Sequence, residues 1–158
     1  MSSDKKFLSK DLLHSAGELL SSFEDVDRVD RGLVLSIIEA IPLPDDIQKP
    51  PREIATTGEL DATLGTLVFK YSNRLDDLQG LLDEVRAGVA DSIIEKRDRV
   101  SRSTPQHIIE AKLAYDSNYT KMKARVDRMK RFVELLEALK WMCVRRGEMM
   151  QEIYRKEY

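Results

Sequence analysis

The chain has one cysteine, Cys143, which excludes an internal disulfide framework and any multi-cysteine metal site. No run of 18 apolar residues occurs, so no segment reads as a membrane-spanning helix. Residues 1–6 are polar and lack the apolar stretch of a secretory leader. Together these absences predict a protein of the reducing cytoplasm with no membrane partner. The two histidines, His14 and His107, lie far apart with no ligand-spaced neighbour, and the glycines form no phosphate-cradling loop. Surface or capping histidines are expected, and Cys143 reads as a small core residue. No catalytic constellation, metal site or cofactor is expected, and the chain reads as a non-enzyme. There is no internal repeat, no low-complexity segment and no strand-period run.

What the sequence does have is charge and aliphatic periodicity. Charged residues make up 34% and apolar residues 42%, a mix typical of long helices rather than of a disordered chain. The expected fold class is all-α, with long helices forming a bundle or hairpin that oligomerises through the C-terminal helix. Residues 9–23 read as a first helix capped by Ser9 or Asp11, and residues 29–41 as a second. Four of the five prolines fall in residues 42–51, where they remove donors and fix φ. Residues 1–41 are therefore expected to be an acidic helical arm and residues 42–56 a stiff linker. Residues 57–158 are expected to form the main helical domain.

Within that domain, residues 57–102 carry leucine and valine in steps of three and four, including Leu60, Leu64, Leu67, Leu75, Leu78 and Leu82. Thr104 and Pro105 mark a break and a new helix start. The last helix is expected to run unbroken over residues 105–155, about 75 Å at 1.5 Å per residue. It carries two adjacent apolar seams. One holds Met122, Val126, Met129, Val133, Leu136, Cys143 and Met150; the other holds Phe132, Leu135, Leu139, Met142, Met149 and Ile153. A helix with two seams suits several neighbours at once, and self-association is the natural way to cover it. Val133, Leu136, Leu139, Met142, Cys143, Met149, Met150 and Ile153 are the expected oligomerisation residues.

Charge is unevenly spread. Residues 1–90 carry 10 Lys/Arg against 17 Asp/Glu, whereas residues 91–158 carry 16 against 11. Two basic runs stand out: residues 96–102, with Lys96, Arg97, Arg99 and Arg102, and residues 121–131, with Lys121, Arg125 and Arg128 among six cations. Both runs offer a positive track of the kind a single strand needs for its phosphates. Stacking partners are few, with Tyr115 and Tyr119 the nearest. Cations on a solvated helix face, or answering a helix C-terminal dipole, produce the same pattern without any ligand.

Two stretches resemble the UvsY-type recombination mediators of tailed phages. The first runs from Leu60 through Val68, Tyr71, Ser72 and Leu75 to Arg97, Asp98, Arg99 and Val100; the second runs from Leu113 and Asp116 through Lys121 to Arg145, Arg146, Gly147 and Ile153. Together they cover about 95 of the 158 residues. In that family the first stretch holds an apolar–Lys–x–Arg–Leu motif implicated in single-stranded DNA binding. The second is an apolar C-terminal helix used for ring-like oligomerisation. This chain departs from the pattern in placing Asp98 inside the motif and Ser101 and Arg102 where aromatics would follow. The resemblance implies a homo-oligomer that binds single-stranded DNA, displaces single-stranded-DNA-binding protein and loads a RecA-like recombinase, in the host-cell cytoplasm if a phage encodes it. It implies Lys96, Arg97, Arg99 and Arg102 as the nucleic-acid contact set, with Lys121, Arg125 and Arg128 as a second, weaker group. A helical assembly or adaptor protein with only protein partners is the alternative.

Overall fold

The computed structural model describes residues 10–42, 50–97 and 105–157. They form five helices: α1 (Lys10–Ser21), α2 (Arg28–Ala40), α3 (Pro50–Arg97), α4 (Gln106–Tyr115) and α5 (Ser117–Glu157). No strand occurs among the described residues, and the fold class is all-α with long helices. Ser9, Arg99, Arg102 and Thr104, all singled out in the sequence, lie outside the described residues.

Two boundaries differ from the sequence expectation, each for a local reason. The α3 helix begins at Pro50, inside the stretch expected to be extended linker. Prolines in a first helical turn lose no bond, because the first N–H groups have no intrahelical acceptor and the fixed φ is already helical. The expected unbroken last helix is instead two, parted at Asp116, whose backbone is extended (φ −77°, ψ 118°). The Asp116 Oδ1 accepts the Tyr119 N–H at 2.8 Å and so satisfies a first-turn donor of α5. Pro105 is likewise the extended residue preceding α4 rather than part of its first turn.

The chain divides into two compact units, and the proline-rich segment is not the dividing line. Unit 1 comprises residues 1–71 and 132–158; unit 2 comprises residues 72–131. The expected N-terminal arm therefore belongs to the same unit as the start of α3 and the end of α5.

Unit 1 is organised around aromatic and aliphatic side chains at helical spacing. Leu20, Phe23 and Val26 close the α1–α2 corner, and Val34, Ile37 and Ile41 form the buried stripe of α2. Leu64, Leu67 and Tyr71 from α3 join them, with Phe132, Leu136, Cys143 and Met150 from α5. Phe132 is the centre, its ring 5.1 Å from Phe23 and 4.9 Å, edge-on, from Tyr71. Such pairs add roughly 0.5–1.5 kcal/mol beyond the area they bury.

Two polar clusters fix the ends of α2. At its start, the Tyr71 hydroxyl donates to Asp30 Oδ2 at 2.6 Å and accepts the Asp27 N–H at 3.2 Å. Lys70 Nζ donates to Asp27 Oδ2 and Asp30 Oδ2, both at 2.7 Å. Asp27 precedes α2 but makes no side-chain cap bond, because its carboxylate is turned to Lys70. At the other end, the buried Arg146 guanidinium donates to the carbonyls of Ile41 and Glu53, each at 3.0 Å. It also donates to the Thr57 hydroxyl and, at 2.6 Å, to the Glu53 carboxylate. One α5 side chain thus holds the end of α2 and the first turns of α3.

Unit 2 has a plainer interior of Leu78, Leu82, Ile93, Leu113, Val126 and Met129, with no aromatic ring among its buried side chains.

Removing the Arg146 side chain leaves the Glu53 carboxylate and the Ile41 carbonyl without this donor, which costs about 3 kcal/mol or more. Arg146→Ala should lower the thermal midpoint sharply. Arg146→Lys should restore only part of it, because an ammonium cannot span this fan of acceptors; full rescue by lysine would show that charge alone matters.

The second cluster sets a pH signature. Burial, then the bond to Asp30, pushes the Tyr71 hydroxyl from the ordinary value near 10 up to about 12. Its contribution is complete below about pH 10 and is lost as pH rises toward 12. The hydrogen bonds to Asp27 and Asp30 hold the Lys70 ammonium above its ordinary value, so Lys70 acts in the same direction. Burial tends to raise the Asp30 carboxyl, but the bonds from Lys70 and Tyr71 outweigh it and hold it low; that stability is lost only as pH falls through the lowered value. Tyr71→Phe should cost roughly 1–2 kcal/mol at neutral pH and flatten the loss of stability between pH 10 and 12. Denaturant midpoints measured across that range check it, and an unchanged alkaline limb would refute the assignment.

Candidate nucleic-acid interface

The seven residues proposed from the sequence as nucleic-acid contacts all belong to unit 2, and the eight proposed for oligomerisation all belong to unit 1. Unit 1 carries 13 Lys/Arg against 18 Asp/Glu, and unit 2 carries 13 against 10. Within unit 2 the cations are concentrated from Lys96 onward. Residues 96–131 hold 11 Lys/Arg and 4 Asp/Glu, a net charge of +7.

The structure sorts these cations by availability. Lys96 is exposed in the last turn of α3, and Arg97 is the final residue of that helix. Lys121 is exposed near the start of α5. Arg125 and Arg128 are half-buried, and each has an interaction partner within the chain. Four further cations are exposed: Lys112 in α4, and Lys123, Lys130 and Arg131 in α5. Position relative to the buried Val126 and Met129 does not account for the difference: Lys123 and Lys130 stand three and four residues from Val126, on its side of the helix, and are exposed, whereas Arg125 and Arg128 are half-buried. Lys96, Lys112, Lys121, Lys123, Lys130 and Arg131 make no ion pair among the described residues. An array of uncompensated cations can neutralise phosphates and release counterions.

No protein-family model, curated protein or solved structure matches the chain.

Other residues of types that carry chemistry are accounted for locally. His14 is exposed beside Glu18 at 3.3 Å, and His107 is exposed in the first turn of α4. Cys143 is fully buried, and burial, with the nearby Asp61 charge, pushes its thiol above the ordinary value. Among the described residues, no group of three or more His, Cys, Asp or Glu is placed to hold a metal, and no helix is long and apolar enough to cross a membrane.

In unit 1 the two apolar seams of α5 have different surroundings. Val133, Leu136, Leu139, Cys143 and Met150 are buried within the chain itself and are not surface available to another copy. Met142 is 45% and Met149 55% exposed, and Ile153 is half-buried. Met142 and Met149 line an open groove of about 590 Å³ together with Ile41, Pro42 and Trp141. The Trp141 ring lies under the Arg145 guanidinium at 5.2 Å, and Arg145 pairs with Glu148 at 2.9 Å. Arg146, in the element that the family resemblance ties to oligomerisation, instead points into the chain's own interior.

Proposed function

We propose that the chain is a non-enzymatic protein that binds single-stranded DNA through unit 2 and acts as a homo-oligomer. The observation that carries this reading is the set of six exposed, unpaired cations in a segment of net charge +7. Such a surface binds polyanions without base readout, and binding weakens steeply with salt. The resemblance to UvsY-type mediators supports the finer role: displacing single-stranded-DNA-binding protein and loading a RecA-like recombinase in the cytoplasm. An oligomer multiplies a weak phosphate site into strong avidity, which is how a protein lacking a deep cleft can hold a strand.

Self-association is assigned to the exposed part of the second seam. Leu135, Met142 and Met149 recur at intervals of seven, the spacing of a helix–helix seam. Methionines and a tryptophan at a surface groove are typical of protein contacts. The same groove favours a second reading, a helical assembly protein with only protein partners, which needs no DNA at all.

A salt series of single-strand binding separates the two readings. Wild type should bind at low salt, and Lys121→Ala/Lys123→Ala/Lys130→Ala should reduce the log–log salt slope by about 0.7 for each phosphate no longer neutralised. Arg97→Ala/Arg99→Ala should weaken binding in the same way. Absence of binding at low salt, or indifference to both sets, overturns the DNA reading.

For assembly, Met142→Glu/Met149→Glu should convert the wild-type oligomer to monomer in light scattering, with the helix content intact. A wild type already monomeric at micromolar concentration would remove the self-association half of the proposal.

A further inference from the structure

We infer that Tyr115 is a base-stacking residue of the single-strand interface, so that unit 2 contacts nucleobases as well as phosphates. The inference rests on the DNA-binding reading and adds a second kind of contact to it.

Tyr115 is 92% exposed, the most exposed large apolar side chain among the described residues. It takes part in no ring contact, cation–π contact or side-chain hydrogen bond. The other described tyrosines differ: Tyr71 is buried and bonded through both the proton and the oxygen of its hydroxyl, Tyr119 is half-buried, and Tyr154 has a partner. The other strongly exposed rings, Phe69 and Trp141, belong to the acidic unit 1. Among the described residues, Tyr115 alone offers a free aromatic face within the basic segment.

Its backbone is nonetheless fixed. Tyr115 is the last residue of α4, two residues after the buried Leu113. The Asp116 N–H donates to the Leu113 carbonyl at 3.1 Å, and the Thr120 N–H donates to the Asp116 carbonyl at 3.0 Å. With the Asp116 side chain capping α5, the corner is bonded on both sides, so the ring projects from a defined position. Lys112 lies one turn earlier, where positions i and i+3 are neighbours on a helix surface, and it makes no ion pair. Exposed Ser117 and Asn118 follow. A free ring beside an unpaired ammonium is the pairing a single strand uses, the ring for a base and the cation for the adjoining phosphate. A stacking platform accepts any base, so the ligand class is single-stranded nucleic acid without sequence preference.

The test compares a single-stranded oligonucleotide with an abasic strand of equal length and charge, at several salt concentrations. Wild type should bind the base-bearing strand on the order of ten-fold more tightly. Tyr115→Ala should lose most of that preference with the salt slope unchanged, since no charge is removed, and Tyr115→Phe should retain it. The exposed ring contributes no core packing, so Tyr115→Ala leaves the fold as it is. Equal wild-type binding of both strands, or a preference that survives Tyr115→Ala, overturns the stacking role while leaving phosphate binding in place. Failure of wild type to bind either strand at low salt overturns both.

Discussion

The contact on which unit 1 most depends is the buried guanidinium of Arg146. It meets the last turn of α2 through the Ile41 carbonyl and the first turns of α3 through Glu53 and Thr57. All four prolines of residues 42–51 lie between those two attachment points. A proline-rich connection has few backbone donors of its own with which to fix its ends. The arginine supplies a donor to the Ile41 carbonyl at the end of α2 and reaches Glu53 and Thr57 in the first turns of α3, and the Glu53 carboxylate balances its charge. That arrangement holds α2 in place so that Val34 and Ile37 can be buried. A buried ion pair of this kind contributes little net stability compared with an apolar contact of the same volume, but it is costly to break. It specifies one arrangement of the three helices over others that would bury similar area.

Much of the secondary structure could be read directly from the sequence, because leucine and valine at steps of three and four leave no other period to fit. The misplacements came from local chemistry that periodicity does not register. Pro50 and Pro51 read as linker residues, yet a first turn accepts them at no cost. Asp116 reads as one more solvated acid, yet its carboxylate caps α5 and divides the helix. The oligomerisation residues were less legible still. Two adjacent seams show that a helix has more than one neighbour, but not which neighbours belong to its own chain. Cys143 and Met150 face inward, while Met142 and Met149 remain at the surface. Arg145 and Arg146 show this most sharply. They are adjacent and chemically identical, and a rotation of about 100° sends one onto Trp141 at the surface and the other into the interior.

The candidate interface was legible as a charge segment but not as a set of side chains. Composition locates the excess of cations after residue 95, and only the structure distinguishes the half-buried Arg125 and Arg128 from the exposed Lys96, Lys112, Lys121, Lys123, Lys130 and Arg131. The acidic unit holds the aromatic core and the surface groove, and the basic unit holds the exposed cations and an exposed aromatic ring. Under the proposed DNA-binding reading, the acids of unit 1 would repel a polyanion and direct it to unit 2.

The chain contains a single tryptophan, and Trp141 stands 61% exposed in the groove of unit 1 rather than in the core. Its indole is already hydrated in the native state, with a guanidinium over one face. Fluorescence excited at the indole band therefore reports on the groove more than on the core. The protein carries its own optical label, placed at the surface groove of unit 1.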